Sequence, residues 1–382
     1  MKLFCLNNIS KIALSSVKGK DEIVNNENDA DAIIVRSFNM HEYNLPSSIL
    51  AITRAGSGVN NIPSDKYSEK GVVVFNTPGS NANAVKELLI CSLLLSSRGI
   101  IDGVNWIRDN KDDKDIKKTT EKIKANFSGN ELYSKTIAVL GLGKIGILVA
   151  NSLMQLGMKV IGYDPYLTLK GATQLDRHIV YAENLLNAIK DADYVTIHIP
   201  LLDSTKNLLS KDEFQNMKDG VVIVNLSRDE IVDEDLLKDY LESGKVKKYV
   251  TDFPNTKVVN FKNTIVIPHL GASTLEAEDN SALMAIDEVK DYLENGNITN
   301  SVNYPSINAQ VKTTKYRLSI LHKNVPGMIV KFSSIFSSDN KNISNLLNKS
   351  KGEYAVTIID YDEEIDVNLI KNIDGVLRVR VI

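Results

Sequence analysis

The chain has 382 residues, 43% hydrophobic and 24% charged, a composition that predicts a globular protein of two or three domains. Its formal net charge of -3 gives no general reason to bind nucleic acid or an anionic membrane. The most apolar stretch, Leu88–Leu95, is far shorter than the ~20 residues of a membrane span, and the N-terminal segment is interrupted too early by Asn and Lys to be a signal peptide. We therefore expect a cytoplasmic protein. Cys5 and Cys91 lie in apolar runs and predict neither a disulfide framework nor a metal site.

Short apolar runs alternate with helix-length segments in the first hundred residues and predict an α/β domain with a mostly parallel sheet. The predicted strands are Lys2–Leu6, Ala32–Arg36, Leu50–Arg54 and Val72–Asn76. A helix is predicted at Ala82–Ser97, with Ser80 and Asn81 as its cap. The Lys- and Asp-rich segment Trp106–Asn126 favours a solvated helix or loop over an anion-attracting rim.

The stretch Thr136–Asp164 carries the clearest functional pattern. After a predicted strand, Gly141, Gly143 and Gly146 stand in GxGxxG spacing at the start of a predicted helix. In such a turn the first glycine permits the sharp bend, the second leaves room for a pyrophosphate, and the third lets the helix pack against the strand. The helix N-terminus then offers N–H groups to the anion.

A second predicted strand, Lys159–Tyr163, ends on Asp164, about 20 residues after the glycines, where an acid accepts hydrogen bonds from ribose hydroxyls. Pro165 and Tyr166 follow, so no arginine is present to neutralise a 2′-phosphate, and NAD is favoured over NADP. The alternative is an ordinary βαβ unit whose glycines serve only turns. The complete order of strand, helix, second strand and acid favours dinucleotide binding.

The remaining chain predicts the rest of a doubly wound sheet of about six strands, then a second small sheet. Further strands of the large sheet are predicted at Tyr194–Ile197, Val221–Asn225, Tyr249–Asp252 and Thr264–Ile267. A helix, Leu275–Glu294, and a linker, Ile298–Gln310, follow. The tail has ferredoxin-like βαββαβ order, in the elements Tyr316–His322, Pro326–Phe336, Ile343–Asn348, Tyr354–Ile359, Val367–Ile373 and Val376–Ile382.

Ligands of doubly wound folds bind beyond the C-terminal ends of the strands, where His198, Arg228, Asp252 and His269 lie. Oxidation of a hydroxy acid requires a proton acceptor, for which histidine is suited, and a cation for the carboxylate, for which arginine is suited. His269 and Arg228 fit these roles, whereas His198 fits a cofactor loop because Pro200 follows it closely. The other histidines lie outside this edge: His41, His178 and His322.

The runs VLGLGKIG, NLSRDEIVDEDLL and IPHLGAST resemble the D-isomer-specific 2-hydroxyacid dehydrogenase family. IIVRS, TRAGSGVNNI and FNTPGSNANAVKEL narrow the resemblance to members that oxidise 3-phosphoglycerate, and LHKNVPGMI resembles an ACT-type regulatory domain. The similarity covers essentially the whole chain. It implies a doubly wound NAD-binding Rossmann domain (99–280) inserted in a flavodoxin-like substrate-binding domain (1–98 and 281–304), followed by a ferredoxin-like ACT domain (312–382).

The resemblance implies NAD-dependent oxidation of 3-phospho-D-glycerate to 3-phosphohydroxypyruvate, the first step of L-serine biosynthesis. Arg228 would orient the carboxylate and polarise the C2 oxygen, and His269 would be the general base. The implied cofactor residues are Gly141, Gly143, Lys144, Ile145, Gly146, Asp164, His198, Pro200, Thr205, Ser227, Asp252 and Ala272. The implied substrate residues are Arg36, Ser37, Arg54, Gly56, Ser57, Gly58, Val59 and Asn81.

A phosphorylated substrate would explain Arg36 and Arg54, because two guanidinium groups at strand ends are costly unless an anion pairs with them. The alternative for these two residues is surface ion pairing. The sequence departs from the family at Thr256 or a neighbouring residue, where a glutamate usually pairs with the catalytic histidine, and we expect reductive activity to fade at lower pH than is usual. It departs again at Asp229, where glycine is common; aspartate tolerates left-handed backbone, but its carboxylate could compete for Arg228.

In the tail, the resemblance implies His322, Asn324 and Asn342 as ligands of an amino-acid effector, most naturally serine, in a homodimer or homotetramer. The alternative is a dimerisation module without an effector. Two other functions stay open for the whole chain. One is a sibling dehydrogenase acting on glyoxylate or hydroxypyruvate, and the other is a NAD-sensing binding protein that has lost catalysis.

Overall fold

The structure is a computed structural model that describes all residues, Met1–Ile382. The chain forms two compact units, one of Met1–Ser80 with Leu275–Ile382 and the other of Asn81–Thr274. The second unit is therefore inserted between two segments of the first. It begins before the helix Ala82–Ser97, whereas the sequence suggested a limit at the end of that helix.

In chain order the strands are β1 (Lys2–Cys5), β2 (Glu22–Val24), β3 (Ala32–Val35), β4 (Ala51–Arg54), β5 (Val73–Asn76), β6 (Thr136–Leu140), β7 (Lys159–Tyr163), β8 (Val180–Tyr181), β9 (Tyr194–Ile197), β10 (Val221–Asn225), β11 (Val246–Thr251), β12 (Thr264–Val266), β13 (Tyr316–Lys323), β14 (Asn345–Lys351), β15 (Tyr354–Tyr361) and β16 (Val376–Val381). The helices are α1 (Lys11–Leu14), α2 (Ser64–Glu69), α3 (Ala82–Ser97), α4 (Ile100–Asp109), α5 (Ile116–Ile123), α6 (Lys144–Gln155), α7 (Leu169–Ala172), α8 (Leu185–Ile189), α9 (Lys211–Asn216), α10 (Glu234–Glu242), α11 (Leu275–Asn295), α12 (Met328–Ser338) and α13 (Val367–Lys371). No helix combines the length and the apolar character that crossing a membrane requires.

The first unit contains a parallel sheet in the order β2-β1-β3-β4-β5, which is the flavodoxin-like order. β3 is apolar at every position and fully buried, as expected for a strand of a parallel sheet that is covered on both faces. The helix α11 packs across β3, β4 and β5 and brings the distant segment after residue 274 into this core.

The second unit is a doubly wound sheet of parallel strands in the order β12-β11-β10-β9-β6-β7-β8. It has seven strands where about six were predicted, because the short and exposed β8 lengthens one edge. The strand order reverses between β6 and β9, which is the point at which such sheets bind their ligands. The predicted fold class is confirmed here.

The third sheet is antiparallel, in the order β14-β15-β13-β16, and carries α12 and α13 on one face, as the ferredoxin-like prediction required. Its other face lies against the apolar core of the first sheet, within the same unit. Leu321, Val356 and Ile358 belong to the same apolar core as Phe75 and Tyr292. The tail therefore forms its own sheet but shares its core with the first sheet.

Arginines of the third sheet donate to carbonyls at the C-terminal end of α11. The Arg317 guanidinium bonds the carbonyl of Asn295 (2.9 Å), and Arg380 bonds those of Tyr292 (3.1 Å) and Leu293 (2.7 Å). The last carbonyls of a helix lack partners within it, and cations near them are stabilising. These bonds fix the third sheet to α11.

Two local predictions differ in part from the structure. The helix α12 begins at Met328 after Gly327, whose φ of +84° ends the loop, so Pro326 lies outside the helix rather than in its first turn. Asn81 occupies the predicted N-cap position of α3, but its side chain makes no capping hydrogen bond. The charged segment after residue 100 contains α4 and α5, and the solvated-helix prediction fits both.

Candidate active site

The glycine turn between β6 and α6 has a separate steric requirement at each glycine. Gly141 has φ +91°, and a Cβ there would lie 2.6 Å from the His198 carbonyl oxygen. A Cβ on Gly146 would lie 1.8 Å from the Gly141 oxygen, whereas a Cβ on Gly143 would have no atom within 4 Å. Gly141 and Gly146 are thus required by packing, and Gly143 leaves open space at the helix N-terminus, which begins with Lys144 and Ile145. That space fits a pyrophosphate.

Asp164 follows β7 beside this turn. Its two carboxylate oxygens accept hydrogen bonds from the N–H groups of Leu142 and Tyr166, both at 2.8 Å. Tyr181 donates to its carbonyl at 2.7 Å. Each carboxylate oxygen retains a lone pair, so the half-buried side chain is fixed in place and can still accept from a ribose hydroxyl. The residues present therefore fit a dinucleotide.

His198 follows β9 and faces the same turn. One ring nitrogen lies 3.1 Å from the Thr196 hydroxyl, and the His198 Cβ is 3.8 Å from the position that a Cβ on Gly146 would take. Burial lowers the pKa of His198 to about 4, so the ring is neutral at physiological pH. A neutral ring suits packing against a cofactor.

The loop after β9 is held by two hydroxyl groups. Thr205 donates to the Pro200 carbonyl (2.7 Å) and accepts from the Leu202 N–H (2.8 Å). The Ser227 hydroxyl donates to the Ile199 carbonyl. Thr205 is therefore bonded to Pro200 within this loop, and Ser227, which follows β10, is bonded to the adjacent Ile199.

His269 lies after β12 in an uncommon backbone conformation, with φ +31°. Its N–H donates to the carbonyls of Asp252 (2.9 Å) and Ile267 (3.0 Å), which hold that conformation. The imidazole is exposed and stacks at a tilt on Phe253, with the ring centres 4.7 Å apart. The ring nitrogens are thus left for a ligand.

Phe253 also contacts the predicted arginine. The Arg228 guanidinium carbon lies 5.6 Å from the centre of the Phe253 ring, and Nη1 donates to the Ser227 carbonyl at 2.6 Å. Asn225 bonds the Arg228 carbonyl at 2.7 Å and fixes its backbone. Phe253 therefore brings Arg228 and His269 together. Sequence reasoning missed it, although it directly follows Asp252.

Asp252 is almost fully buried beneath this pair. Its Oδ2 accepts from the Gly271 N–H at 2.9 Å, and its Oδ1 has no partner. Burial raises the pKa of Asp252, and the Gly271 bond and the charges of His269 and Arg228 oppose that rise. Ala272 follows Gly271 and is exposed. An unsatisfied buried oxygen at this position is suited to a donor supplied by a ligand.

The two departures from the family have different structural outcomes. Thr256 is exposed, and its carbonyl accepts from Asn260 at 2.8 Å. The carboxyl group whose charge interacts with His269 is that of Asp252. Asp229 begins a short 3-10 turn and does not have positive φ, so the tolerance for left-handed backbone that we invoked is not needed. No ion pair joins it to Arg228.

Predicted substrate residues lie at the ends of β3 and β4 in the first unit. Arg36 follows β3, and its carbonyl accepts from Nε of Arg54, the last residue of β4, at 3.1 Å. The Arg36 Nη2 is 2.6 Å from the Glu278 carboxylate in the first turn of α11. The Asn7 amide donates weakly to Ser37 at 3.4 Å. Arg36 is therefore ion-paired within the protein, which is the alternative that the sequence left open.

The loop Gly56–Val59 continues from β4. Gly56 has φ +150°, and a Cβ there would lie 2.7 Å from Nη1 of Arg54. Its N–H donates to the Thr77 hydroxyl at 2.8 Å. The N–H groups of Ser57, Gly58 and Val59 form no hydrogen bond within the chain. Three such donors in sequence suit a carboxylate.

Asn81, at the start of the second unit, has a buried Oδ1 with no hydrogen-bond partner. Because the side chain does not cap α3, this atom has no structural role in the helix. Buried polar atoms are normally satisfied, so an unpaired one is a candidate ligand contact.

Comparison with known proteins agrees with this arrangement. The family model for the NAD binding domain of D-isomer specific 2-hydroxyacid dehydrogenases matches residues 91–271. A D-3-phosphoglycerate dehydrogenase of Methanocaldococcus jannaschii is 30% identical over 334 residues, which are 85% of this chain and 61% of that protein. A hydroxypyruvate reductase of Thermotoga maritima is 32% identical over 282 residues, which are 71% of this chain and 87% of that protein. The chain belongs to the D-isomer specific 2-hydroxyacid dehydrogenase family.

A solved structure of an NAD+-bound 3-phosphoglycerate dehydrogenase from Entamoeba histolytica has a TM-score of 0.60 and 25% identity, covering 79% of this chain and 98% of that one. The chain spans less than two thirds of the length of the D-3-phosphoglycerate dehydrogenases from Methanocaldococcus jannaschii, Archaeoglobus fulgidus and Synechocystis. The glycine turn, Asp164, Arg228 and His269 all lie in the family's NAD-binding domain, and NAD is its cofactor.

The predicted effector residues lie outside the family's NAD-binding domain, with His322 in the third sheet and Asn324 and Asn342 in the segments that flank α12. His322 is buried, and its ring nitrogens contact the Lys323 carbonyl (2.8 Å) and the Thr357 hydroxyl (2.9 Å), so neither is available to an effector. Asn324 precedes α12 and donates to the Gly352 carbonyl at 3.1 Å, and Asn342 follows α12. A helix of 11 residues is about 16 Å long, so one small amino acid cannot contact both asparagines of one chain.

Proposed function

We propose that this protein is a D-3-phosphoglycerate dehydrogenase that oxidises 3-phospho-D-glycerate to 3-phosphohydroxypyruvate with NAD, as the first step of L-serine biosynthesis. The observation that carries the proposal is the pair of arginines at the ends of β3 and β4, next to the three unpaired N–H groups of Ser57, Gly58 and Val59. A guanidinium pair suits a phosphate and successive N–H groups suit a carboxylate, and 3-phosphoglycerate carries both anions.

The chemistry follows from the residues around Phe253. Arg228 donates to the substrate carboxylate and to the C2 oxygen, which polarises the C2 centre. His269 accepts the hydroxyl proton as C2 loses hydride, and returns it in the reverse direction. NAD supplies the hydride acceptor. The neutral ring of His269 accepts the proton in oxidation, and the protonated ring donates it in reduction.

One observation favours a second function. The Glu278 carboxylate pairs with Arg36, so the protein itself supplies an anion to this arginine and a substrate phosphate is not needed to neutralise it. An unphosphorylated keto acid would leave that pair intact. The second candidate is therefore a hydroxypyruvate or glyoxylate reductase, and the relative from Thermotoga maritima is named hydroxypyruvate reductase.

The proposal extends to regulation by the third sheet. We propose that serine binds near Asn324 or Asn342 of a homodimer or homotetramer, with the second copy supplying the remaining contacts. His322 is not part of this proposal because both of its ring nitrogens are engaged. The site is supported if serine changes the turnover of wild type and if Asn324→Ala or Asn342→Ala removes that change. Turnover of wild type that does not respond to serine would contradict it.

The first experiment is NADH oxidation with 3-phosphohydroxypyruvate, beside hydroxypyruvate and glyoxylate, with and without serine. The proposal expects the phosphorylated keto acid to be preferred. Turnover of only the unphosphorylated acids would establish the second candidate. No turnover despite NADH binding would indicate a NAD-sensing protein.

The role of His269 is tested by His269→Asn. We expect turnover to fall by about 10²–10⁴-fold, the range for loss of a general acid–base group, with NADH affinity unchanged by fluorescence titration. His178→Asn is the matched control, because His178 is exposed and bonds only to Asp176. Equal activity of the two variants would exclude His269 as the proton-transfer group.

A further inference from the structure

The pairing of Glu278 with Arg36 joins residues 242 positions apart in the chain. The carboxylate lies in the first turn of α11, where the helix dipole favours a negative charge. Neighbouring bonds hold this turn: Asp279 bonds Ser10, and Ser281 bonds Ser80 at 2.7 Å. Glu278 is thus held in a fixed position beside Arg36.

Both members of the pair remain accessible. The Arg36 side chain is 41% exposed and that of Glu278 is 39% exposed, so solvent or a ligand reaches them. The bond to Glu278 uses one donor of Nη2, and a guanidinium has five donors. Arg36 can therefore bind an incoming anion while Glu278 stays in place.

The charge of Glu278 matters most when that anion is a phosphate. A phosphate ester carries close to two negative charges at neutral pH, and the carboxylate cancels the single positive charge of Arg36. An unphosphorylated keto acid presents no second anion to Arg36. Glu278 therefore penalises one class of substrate and leaves the other unaffected.

We propose that Glu278 is a specificity-determining residue, which lowers the preference of this enzyme for phosphorylated over unphosphorylated 2-keto acids by neutralising Arg36. The proposal rests on the proposed function, in that Arg36 is taken as the phosphate contact. It makes the ion pair the point at which the two candidate activities differ.

The test compares Glu278→Gln with wild type in NADH oxidation. Glutamine keeps the size and can still accept a hydrogen bond from Arg36, so only the charge is removed. We expect KM for 3-phosphohydroxypyruvate to fall about tenfold with kcat unchanged, and KM for hydroxypyruvate to stay within about twofold. Glu276→Gln is the matched control, because Glu276 is exposed in the same helical turn, and it should change neither KM.

A double variant isolates the pair. In Arg36→Gln the removal of Glu278's charge should have no further effect on the ratio of the two KM values, because the group it neutralises is absent. An unchanged ratio in Glu278→Gln, a parallel change for both substrates, or an equal gain in the Arg36→Gln background would each overturn the proposal.

The charge effect is also measured without turnover. Titration with inorganic phosphate should give about tenfold tighter binding to Glu278→Gln than to wild type, and no such gain in the double variant. If no keto acid is turned over, the proposed function fails while this titration still decides the role of Glu278. If the phosphorylated acid is turned over but Glu278→Gln changes neither the ratio of the two KM values nor the affinity for phosphate, only the inference about Glu278 fails.

Discussion

Two arginine–carboxylate pairs lie in the first unit, and they differ in burial. Arg317 and Asp360 form a two-point contact, with Nε–Oδ1 at 2.5 Å and Nη2–Oδ2 at 2.9 Å, and their side chains are 1% and 7% exposed. Arg36 and Glu278 share a single contact at 2.6 Å and are about 40% exposed. The same two functional groups, a guanidinium and a carboxylate, therefore form one buried ion pair and one solvent-accessible ion pair.

This difference in burial decides whether the charge of each arginine is available to a ligand. The remaining donors of Arg317 are used by carbonyls of Asn295, Gln310 and Ala309, so no ligand can compete for it. Removing either partner would leave a charge in a dry environment. Solvent compensates the loss of a partner at Arg36, which leaves that arginine available to bind a substrate anion.

The largest expected effect is at the buried pair. Arg317→Met should lower the free energy of unfolding by about 3–5 kcal/mol, since it leaves Asp360 buried without a counter-charge. Urea denaturation measures the loss. Lys349→Met, at an exposed position of β14, is the control and should stay within about 0.5 kcal/mol. Arg317→Met with Asp360→Leu should recover part of the stability, and a loss below 1 kcal/mol in the single variant would remove the contrast.

A smaller effect is expected from the buried histidine of the third sheet. Burial lowers the pKa of His322, although the Lys323 carbonyl and Asn348 oppose this. The unfolded chain therefore binds a proton near pH 6.5 while the folded protein does not, and stability falls as the pH decreases below that value. The slope from this one group is at most about 1.4 kcal/mol per pH unit.

Urea denaturation of wild type and His322→Gln between about pH 7.5 and 5, a range that spans the ordinary histidine pKa of ~6.5, measures this contribution. The difference between the two stabilities should shrink or reverse as the pH falls. Parallel curves for the two proteins would show that His322 does not contribute.

The smallest effect is expected at the exposed pair. Glu278→Ala should change the free energy of unfolding by less than about 1 kcal/mol, the usual range for solvent-exposed ion pairs. The same denaturation experiment applies. A cost comparable to that of Arg317→Met would mean that the pair is structural and would weaken the case for an exchangeable arginine.

Local sequence patterns predicted most elements because the forces that determine them are local. The helix Ala82–Ser97 and the strands Tyr194–Ile197 and Val221–Asn225 have the predicted bounds. The strands β2 and β8 were missed, because short and largely exposed edge strands have no buried run to reveal them. The glycine turn was predictable because its requirements are steric and lie within a few residues.

Charge balance was not predictable in the same way. Arg36 is neutralised by Glu278, far along the chain, and no pattern near residue 36 contains that partner. The role of Phe253 beside Arg228 and His269, and the burial of both His322 ring nitrogens, also depend on tertiary packing. Residue type and position at a strand end indicated which residues belong to the candidate site. Their tertiary contacts decide which of the charged groups remain available to a ligand.

The insertion of one unit into the other has a consequence for synthesis on the ribosome. The unit Asn81–Thr274 is continuous, so all of its strands emerge before the other unit has α11. The core of the first sheet around Phe75 is complete only after α11 and then Leu321, Val356 and Ile358 have been synthesised. The middle of the chain can therefore reach its native state while the earlier residues still lack their partners. The order of folding is set by when the last residues of each core are synthesised, and not by the order of residues in the chain.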